Sequence, residues 1–248
     1  MKIEKVTLSE KDFSKKTRRS FLALGAGAVL GAIGLGRIFN AEPDGDIQAP
    51  LRAGFKANES FWKRFFNPDR QNTLEEKPAD GTPFRVNGGE GLEQPADLAS
   101  WQLQYESPFV KKTFTLADLK KFSRTTSQAE FRCVEGWSLP LSYEGILFSD
   151  FLKSVDPEGV QLPYVALETP DENYYVSVDM ESMLHSQTIL ADQMNGRPLG
   201  PDHGEPLRLI IPIKYGIKSL KRIGKIYLSK TRPPDYWAEN GYDWYSGH

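Results

Sequence analysis

The chain has 248 residues, with 31 Lys and Arg against 33 Asp and Glu, a net charge of −2. That balance excludes a nucleic-acid binder resting on bulk positive charge, and 39% hydrophobic residues place the chain among globular proteins able to bury a core. One cysteine, Cys133, excludes an internal disulfide framework and a zinc site of several thiolates, and His185, His203 and His248 lack tight ligand spacing. Inorganic chemistry must therefore lean on one sulfur or on an imported cofactor.

From Ser20 to Gly36 seventeen residues carry no charge, about 26 Å of helix at 1.5 Å per residue. Five are glycine, so the stretch makes a poor permanent span but suits the apolar core of an export signal behind a polar segment from Met1 to Thr17. Thr17, Arg18, Arg19, Ser20, Phe21 and Leu22 resemble the twin-arginine export signal. That pathway moves folded cargo, which implies a cofactor acquired in the cytoplasm. Phe39, Asn40 and Ala41 lack the small residue expected three places before a cut, so residues 1–40 are read as a signal or as a retained anchor.

Residues 41–80, rich in Pro, Asp, Glu, Asn and Gln, read as a linker. It carries one aromatic cluster, Phe61, Trp62, Phe65 and Phe66, behind a candidate helix cap at Ser60. Such a cluster more often packs onto the domain it precedes than dips into a membrane surface. Beyond it, residues 81–248 read as one domain. Strand-like runs span Trp101 to Tyr105, Phe131 to Val134, Tyr164 to Glu168, Tyr174 to Val178, Leu207 to Ile211 and Lys225 to Leu228. Helical signals are short: a Thr115 cap opening a helix to about Phe122, then Phe148 to Val155 and Asp179 to Leu184. The fold class expected is α+β, mixed and strand-rich.

Cys133 closes a strand-like run in Arg132, Cys133, Val134, Glu135, Gly136, Trp137 and Ser138, just where the chain opens into a loop. A lone cysteine beside valine is commonly a small buried hydrophobe. In an exported protein, however, a spare exposed thiol is a liability, so the sulfur is expected to be buried or held by a metal. A thiol nucleophile would need a histidine partner, either His185 or His203.

The wording around Cys133 resembles the molybdopterin-binding domain of the sulfite oxidase family, and more closely its bacterial periplasmic branch, which includes the catalytic subunits of protein-methionine-sulfoxide reductases. The likeness continues through Thr169 to Val178, Leu190 to Leu199, and His203, Gly204, Glu205, Pro206, Leu207, Arg208. It runs on through Pro212, Lys214, Tyr215, Gly216, Ile217, Lys218, Ser219, Leu220 and Lys221, and ends in Tyr236, Trp237, Gly241 and Tyr242. It implies a sulfite oxidase-type fold holding Mo-molybdopterin, with the Cys133 thiolate on molybdenum. It also implies cofactor contacts from Asn87, Thr169, His203, Arg208, Ser219, Leu220 and Lys221. A phosphate-bearing cofactor suits a guanidinium fork, a lysine and backbone N–H donors, and Gly216 leaves room for close approach. Arg132 and Tyr236 are candidates to orient a substrate oxygen near the metal.

The same resemblance implies a two-electron oxygen-atom transfer on a small or protein-bound sulfoxide or oxyanion, sulfoxide reduction being favoured. His203, which stands where sulfite oxidases have His and the reductases have Asn, leans toward sulfite oxidation. With one cysteine there is no haem-attachment CxxCH, and no dimerisation domain follows, so a monomer is expected to exchange electrons with a separate membrane haem protein or cytochrome. Ser142, Tyr143, Glu144 and Gly145 replace the Pro-Trp-x-Gly of close relatives, which puts the substrate funnel in question. A non-catalytic anchored binding domain of the same fold is the rival from another class.

Overall fold

The computed structural model describes residues 10–44, 47–65, 67, 69–74, 85–86 and 88–248, which form two compact units divided after Gly54. In the first unit, α1 runs over Glu10–Phe39. Its segment Ser20–Phe39 is apolar, unburied and, at 20 residues, long enough to cross a membrane. Strands β1 (Pro43–Asp44) and β2 (Ile47–Gln48) pair antiparallel, and α2 covers Ala49–Lys63.

The expected linker is thus helical for 15 residues. Ser60 lies inside α2, where its hydroxyl donates to the Lys56 carbonyl at 2.8 Å instead of capping a helix start. Phe61 and Phe65 face each other at 5.2 Å and stay 50% and 67% exposed, where burial against the domain was expected. Phe66 and the side chain of Trp62 lie outside the described residues.

The second unit is built on two sheets. One contains β5 (Arg124–Arg132), β6 (Ser138–Leu147), β9 (Ile189–Met194), β10 (Arg197–Pro198) and β11 (Arg208–Ile210). The order is β10-β9-β6-β5, with β11 also pairing β9. The other contains β3 (Leu103–Glu106), β4 (Lys111–Phe114), β7 (Tyr164–Glu168), β8 (Tyr175–Asp179) and β12 (Lys225–Ser229), in the order β4-β3-β12-β7-β8. Among the described residues only β12 with β3 is parallel; the strand-rich α+β class stands. Among the helices, α3 (Leu116–Leu119) carries the expected Thr115 capping box but stops short of Phe122. Next come α4 (Phe148–Val155), α5 (Met180–Met183) and α6 (Tyr236–Glu239).

The long strand β6 escaped the sequence reading because Pro140 and Gly145 look like breakers; β9 was missed as well. Pro140 costs no ladder bond. Its partner Glu130 turns both backbone groups away to Asn72, accepting from Nδ2 at 3.0 Å and donating to Oδ1 at 3.0 Å, so the pair is one that exchanges no hydrogen bonds. Gly145 sits at a register shift between β6 and β9, where a Cβ would fall 2.0 Å from the Leu190 carbonyl oxygen. The glycine permits the strands to approach.

The main core packs α4 onto the second sheet. Phe148, Phe151, Leu152 and Val155 are buried at the i, i+3, i+4, i+7 spacing of one helix face, against Leu103, Tyr105, Val165, Leu167, Val176 and Ile226. A smaller cluster, Leu141, Tyr143, Ile189, Ala191 and Ile210, fills the first sheet.

Candidate cofactor site

Cys133 is the first residue of the connection between β5 and β6. Its N–H donates to the Trp137 carbonyl at 2.9 Å and its own carbonyl accepts from Gly136 at 3.1 Å. Gly136 takes a φ of 87°, which only a glycine adopts without strain. Successive strand side chains point to opposite faces, so Phe131 and Cys133 share one face and Arg132 takes the other. Phe131 and Cys133 line an open cleft.

Two cations stand in the same cleft. Arg208, on β11, is 2% exposed. It donates to the carbonyls of His203 (3.1 Å) and Ser219 (3.3 Å) and lies over the Tyr143 ring at 5.5 Å. Its Nε is buried without a hydrogen-bond partner. No carboxylate forms an ion pair with Arg208 among the described residues. Lys221 Nζ donates to the Gly88 carbonyl at 2.9 Å, and its ammonium is pushed down to about 8, first by burial and then by repulsion from Arg208. A buried guanidinium without an acid partner, beside a lysine that it repels, suits an anionic group. Ser219 lines the cleft beside them, on a turn closed by Gly216. A Cβ on Gly216 would come within 2.5 Å of the Phe131 ring, so the glycine lets this turn lie against the ring next to Cys133.

Part of the lining forms an aromatic wall: Trp137, Tyr174, Trp237 and Tyr242. Trp237 Nε1 donates to the Tyr174 hydroxyl at 2.8 Å, which donates to the Ile217 carbonyl at 3.3 Å. Glu90 and Glu135 add two acids to the lining.

The cleft therefore brings together Cys133, Arg208, Ser219 and Lys221. Several other predicted residues stand behind it. Thr169 is buried, and its hydroxyl serves the Asp171 to Tyr174 turn, donating to Asp171 at 2.6 Å and accepting from the Tyr174 N–H at 3.2 Å. His203 lends Arg208 its carbonyl, and its imidazole is held below the usual histidine value by burial, then by Arg208 and Lys221. Leu220 is a core residue whose carbonyl accepts from Leu209. Asn87 lies outside the described residues.

Of the two candidate orienting residues, neither lines the cleft. Arg132 donates through Nε and Nη2 to Glu130 (2.9 and 2.8 Å) and through Nη1 to His248 Nδ1 at 3.0 Å. Tyr236 packs edge-on against Tyr174 at 5.3 Å. Phe131, Tyr174 and Glu90 were missed in the sequence. Trp237 and Tyr242 were quoted only as a closing motif, and their spacing around Gly241 was the available signal.

Neither His185 nor His203 lines the cleft with Cys133. Both ring nitrogens of His185 are engaged, Nε2 donating to the Arg70 carbonyl and Nδ1 accepting from the Gln187 N–H. Among the described residues no group of three or more His, Cys, Asp or Glu could hold a metal. A metal at Cys133 would thus take its other donors from a cofactor.

Residues 91–237 match the oxidoreductase molybdopterin binding domain. The chain belongs to this family. It is a molybdopterin oxidoreductase, of the sulfite oxidase type expected from the sequence. It is 29% identical over 233 residues to the putative protein-methionine-sulfoxide reductase subunit YedZ1 of Azospira oryzae, covering 93% of this chain and 87% of that protein. It is 27% identical over 251 residues to the protein-methionine-sulfoxide reductase catalytic subunit MsrP of Campylobacter jejuni, covering 93% and 80%. For MsrP of Ralstonia nicotianae the identity is 32% over 165 residues, 59% of this chain and 50% of that one. Among solved structures, the sulfane dehydrogenase SoxCD of Paracoccus pantotrophus aligns with a TM-score of 0.49 and 23% identity, over 55% of this chain and 40% of that chain.

The residues present fit molybdopterin. The unpartnered Nε of Arg208, the depressed ammonium of Lys221 and the glycine-lined turn at Gly216 offer donors and space to a phosphate-bearing group beside the only thiol.

Proposed function

We propose that this oxidoreductase reduces sulfoxides, a two-electron reaction in which one sulfoxide, two electrons and two protons give one thioether and one water, with Cys133 Sγ as the protein ligand of molybdenum. The observation that carries the ligand assignment is the position of the sole thiol, in one cleft with a buried, acid-free arginine and a lysine. When bound, the cofactor supplies the two-electron redox chemistry. Arg208 and Lys221 would hold its anionic group, the turn at Gly216 to Ser219 would offer it space and donors, and the aromatic wall would exclude water.

A sulfoxide is a neutral dipole on an apolar body. The rings of Trp237 and Tyr242 suit its alkyl groups and the product thioether, whereas Glu90 opposes entry of a sulfite anion; Glu135 is paired with Arg85 at 3.7 Å. This favours reduction of sulfoxides, including methionine sulfoxide in proteins, over sulfite oxidation, as do the names of the relatives. Arg132 and Tyr236 act from behind, Arg132 steadying the end of the strand that leads into Cys133 and Tyr236 backing Tyr174.

The apolar helix Ser20–Phe39 behind Arg18 and Arg19 is read as a twin-arginine signal or retained anchor that places the enzyme in the periplasm. A separate membrane haem protein or cytochrome would deliver electrons.

Molybdenum and pterin are to be measured per chain in protein from a molybdenum-replete host. Wild type should be stoichiometric and Cys133→Ala should lose the metal; metal-free wild type refutes the reading. Turnover of methionine sulfoxide with reduced viologen, set beside sulfite with ferricyanide, tests direction, and activity only on sulfite would overturn sulfoxide reduction.

A further inference from the structure

The cofactor turn and the aromatic wall are joined by a buried ion pair that faces neither cofactor nor substrate. Lys218, 1% exposed, sits between Ile217 and Ser219, both cleft residues. Asp235, 2% exposed, immediately precedes α6, which carries Trp237. Lys218 Nζ donates to Asp235 Oδ2 at 2.5 Å.

Both partners also hold the same point on the sheet. Strand β8 is an edge strand, and at Ser177 its backbone groups turn outward. Asp235 Oδ2 accepts from the Ser177 N–H at 2.9 Å, and Lys218 Nζ donates to the Ser177 carbonyl at 3.2 Å. The pair thus stands in for a neighbouring strand, satisfying one donor and one acceptor of the edge. The remaining Asp235 oxygen, Oδ1, caps α6 by accepting from the Ala238 N–H at 3.0 Å. A second link, Trp237 to Tyr174 to Ile217, runs closer to the cleft.

We infer that Lys218 and Asp235 are positioning residues that fix the cofactor-binding turn and the substrate-facing aromatic wall to a single point on the β8 edge. The turn that holds the cofactor and the wall that receives the substrate then keep one spacing. The alternative is that the pair only stabilises the fold, since a buried ion pair replaced by apolar groups is often tolerated. The inference rests on the molybdopterin and sulfoxide reading of the cleft.

The test uses the purified full-length holoenzyme and the variants Asp235→Asn, Lys218→Met, their combination and Tyr174→Phe. Asparagine still caps α6, so Asp235→Asn isolates the charge, and the double variant leaves no unpaired buried ion. The readouts are pterin per chain, the rate of pterin release on dilution, the thermal midpoint, and KM and kcat for methionine sulfoxide. The folded double variant should release pterin about tenfold or more faster, the loss expected for removing an outer-shell support. Its KM should rise more than kcat falls. Tyr174→Phe cuts the link nearer the cleft and leaves the ion pair in place, which separates the two links; if the double variant does not fold, Asp235→Asn, which keeps the α6 cap, carries the test through the same pterin-release and KM readouts. Wild-type pterin retention and KM in these variants, in a loaded preparation, overturn the positioning role alone. Wild type without pterin overturns the functional reading as well.

Discussion

Gly145→Ala is the perturbation whose cost the structure states most directly. The added Cβ would meet the Leu190 carbonyl oxygen at 2.0 Å, with Ala191 Cα and the Leu190 carbonyl carbon both at 2.7 Å. All three atoms are backbone, so no side-chain rotation relieves the clash. A carbon normally rests about 3.3 Å from a carbonyl oxygen, so β6 and β9 would have to part by about 1.3 Å, over a quarter of the usual strand spacing of about 4.8 Å. Losing roughly two ladder bonds at about 1 kcal/mol each, with an overpacking cost of about 1–3 kcal/mol, gives about 3–5 kcal/mol. At about 2–4 °C per kcal/mol for a domain of this size, the thermal midpoint should fall by about 10 °C.

The site should feel it too. Gly145 pairs with Ala191, and Ala191 pairs across β9 with Arg208, so the displacement is transmitted to the cofactor guanidinium. Thermal melts followed by circular dichroism, with pterin content on the same samples, check both effects. A midpoint within about 2 °C of wild type and full cofactor content would refute the reasoning, because an effect of about 3 kcal/mol cannot hide in that interval.

Arg208→Met should weaken cofactor retention about 100-fold and Arg208→Lys about tenfold, since lysine keeps the charge but not the fork; pterin release after dilution reads both, and equal rates would remove Arg208 from the cofactor site. Burial and Arg208 hold Lys221 at about 8 in the folded, cofactor-free chain, against 10.5 when unfolded. The unfolded chain therefore binds more protons between those values, so apoprotein stability should rise with pH across that interval while its hold on an anion falls. Urea melts and phosphate titrations of wild type and Lys221→Met check the two trends, and identical profiles for the two proteins refute them. Glu130 accepts from Ser138 and from Arg132, which hold its carboxylate below the usual value. Its contribution should be complete above that usual value and fade on acidification. Because the pair is more than a third exposed, Glu130→Gln should cost at most about 1 kcal/mol and leave molybdenum content intact; loss of the metal would mean that the hairpin depends on this pair.

The chemistry of this protein was legible in its sequence because it rests on residue types in a fixed order. The cysteine heptad, the His-Gly-x-Pro-Leu-Arg block and the Gly-x-Lys-Ser-Leu-Lys segment resemble the molybdopterin-binding domain closely enough to point to the family that residues 91–237 match, and the strand-rich class follows from short runs between turn residues. The long strand β6 was not legible, because Pro140 and Gly145 break strands locally and are tolerated only through their partners, Glu130 turned away to Asn72 and Leu190 pressed close. Nor was the division of labour within the site. Arg132 adjoins Cys133 in the chain, but strand alternation sends it to the other face, where it binds Glu130 and His248. Tyr174 and Trp237 are 63 residues apart and become one wall through a side-chain hydrogen bond. Sequence order fixes which groups are available, whereas strand pairing and burial decide which of them face the same space.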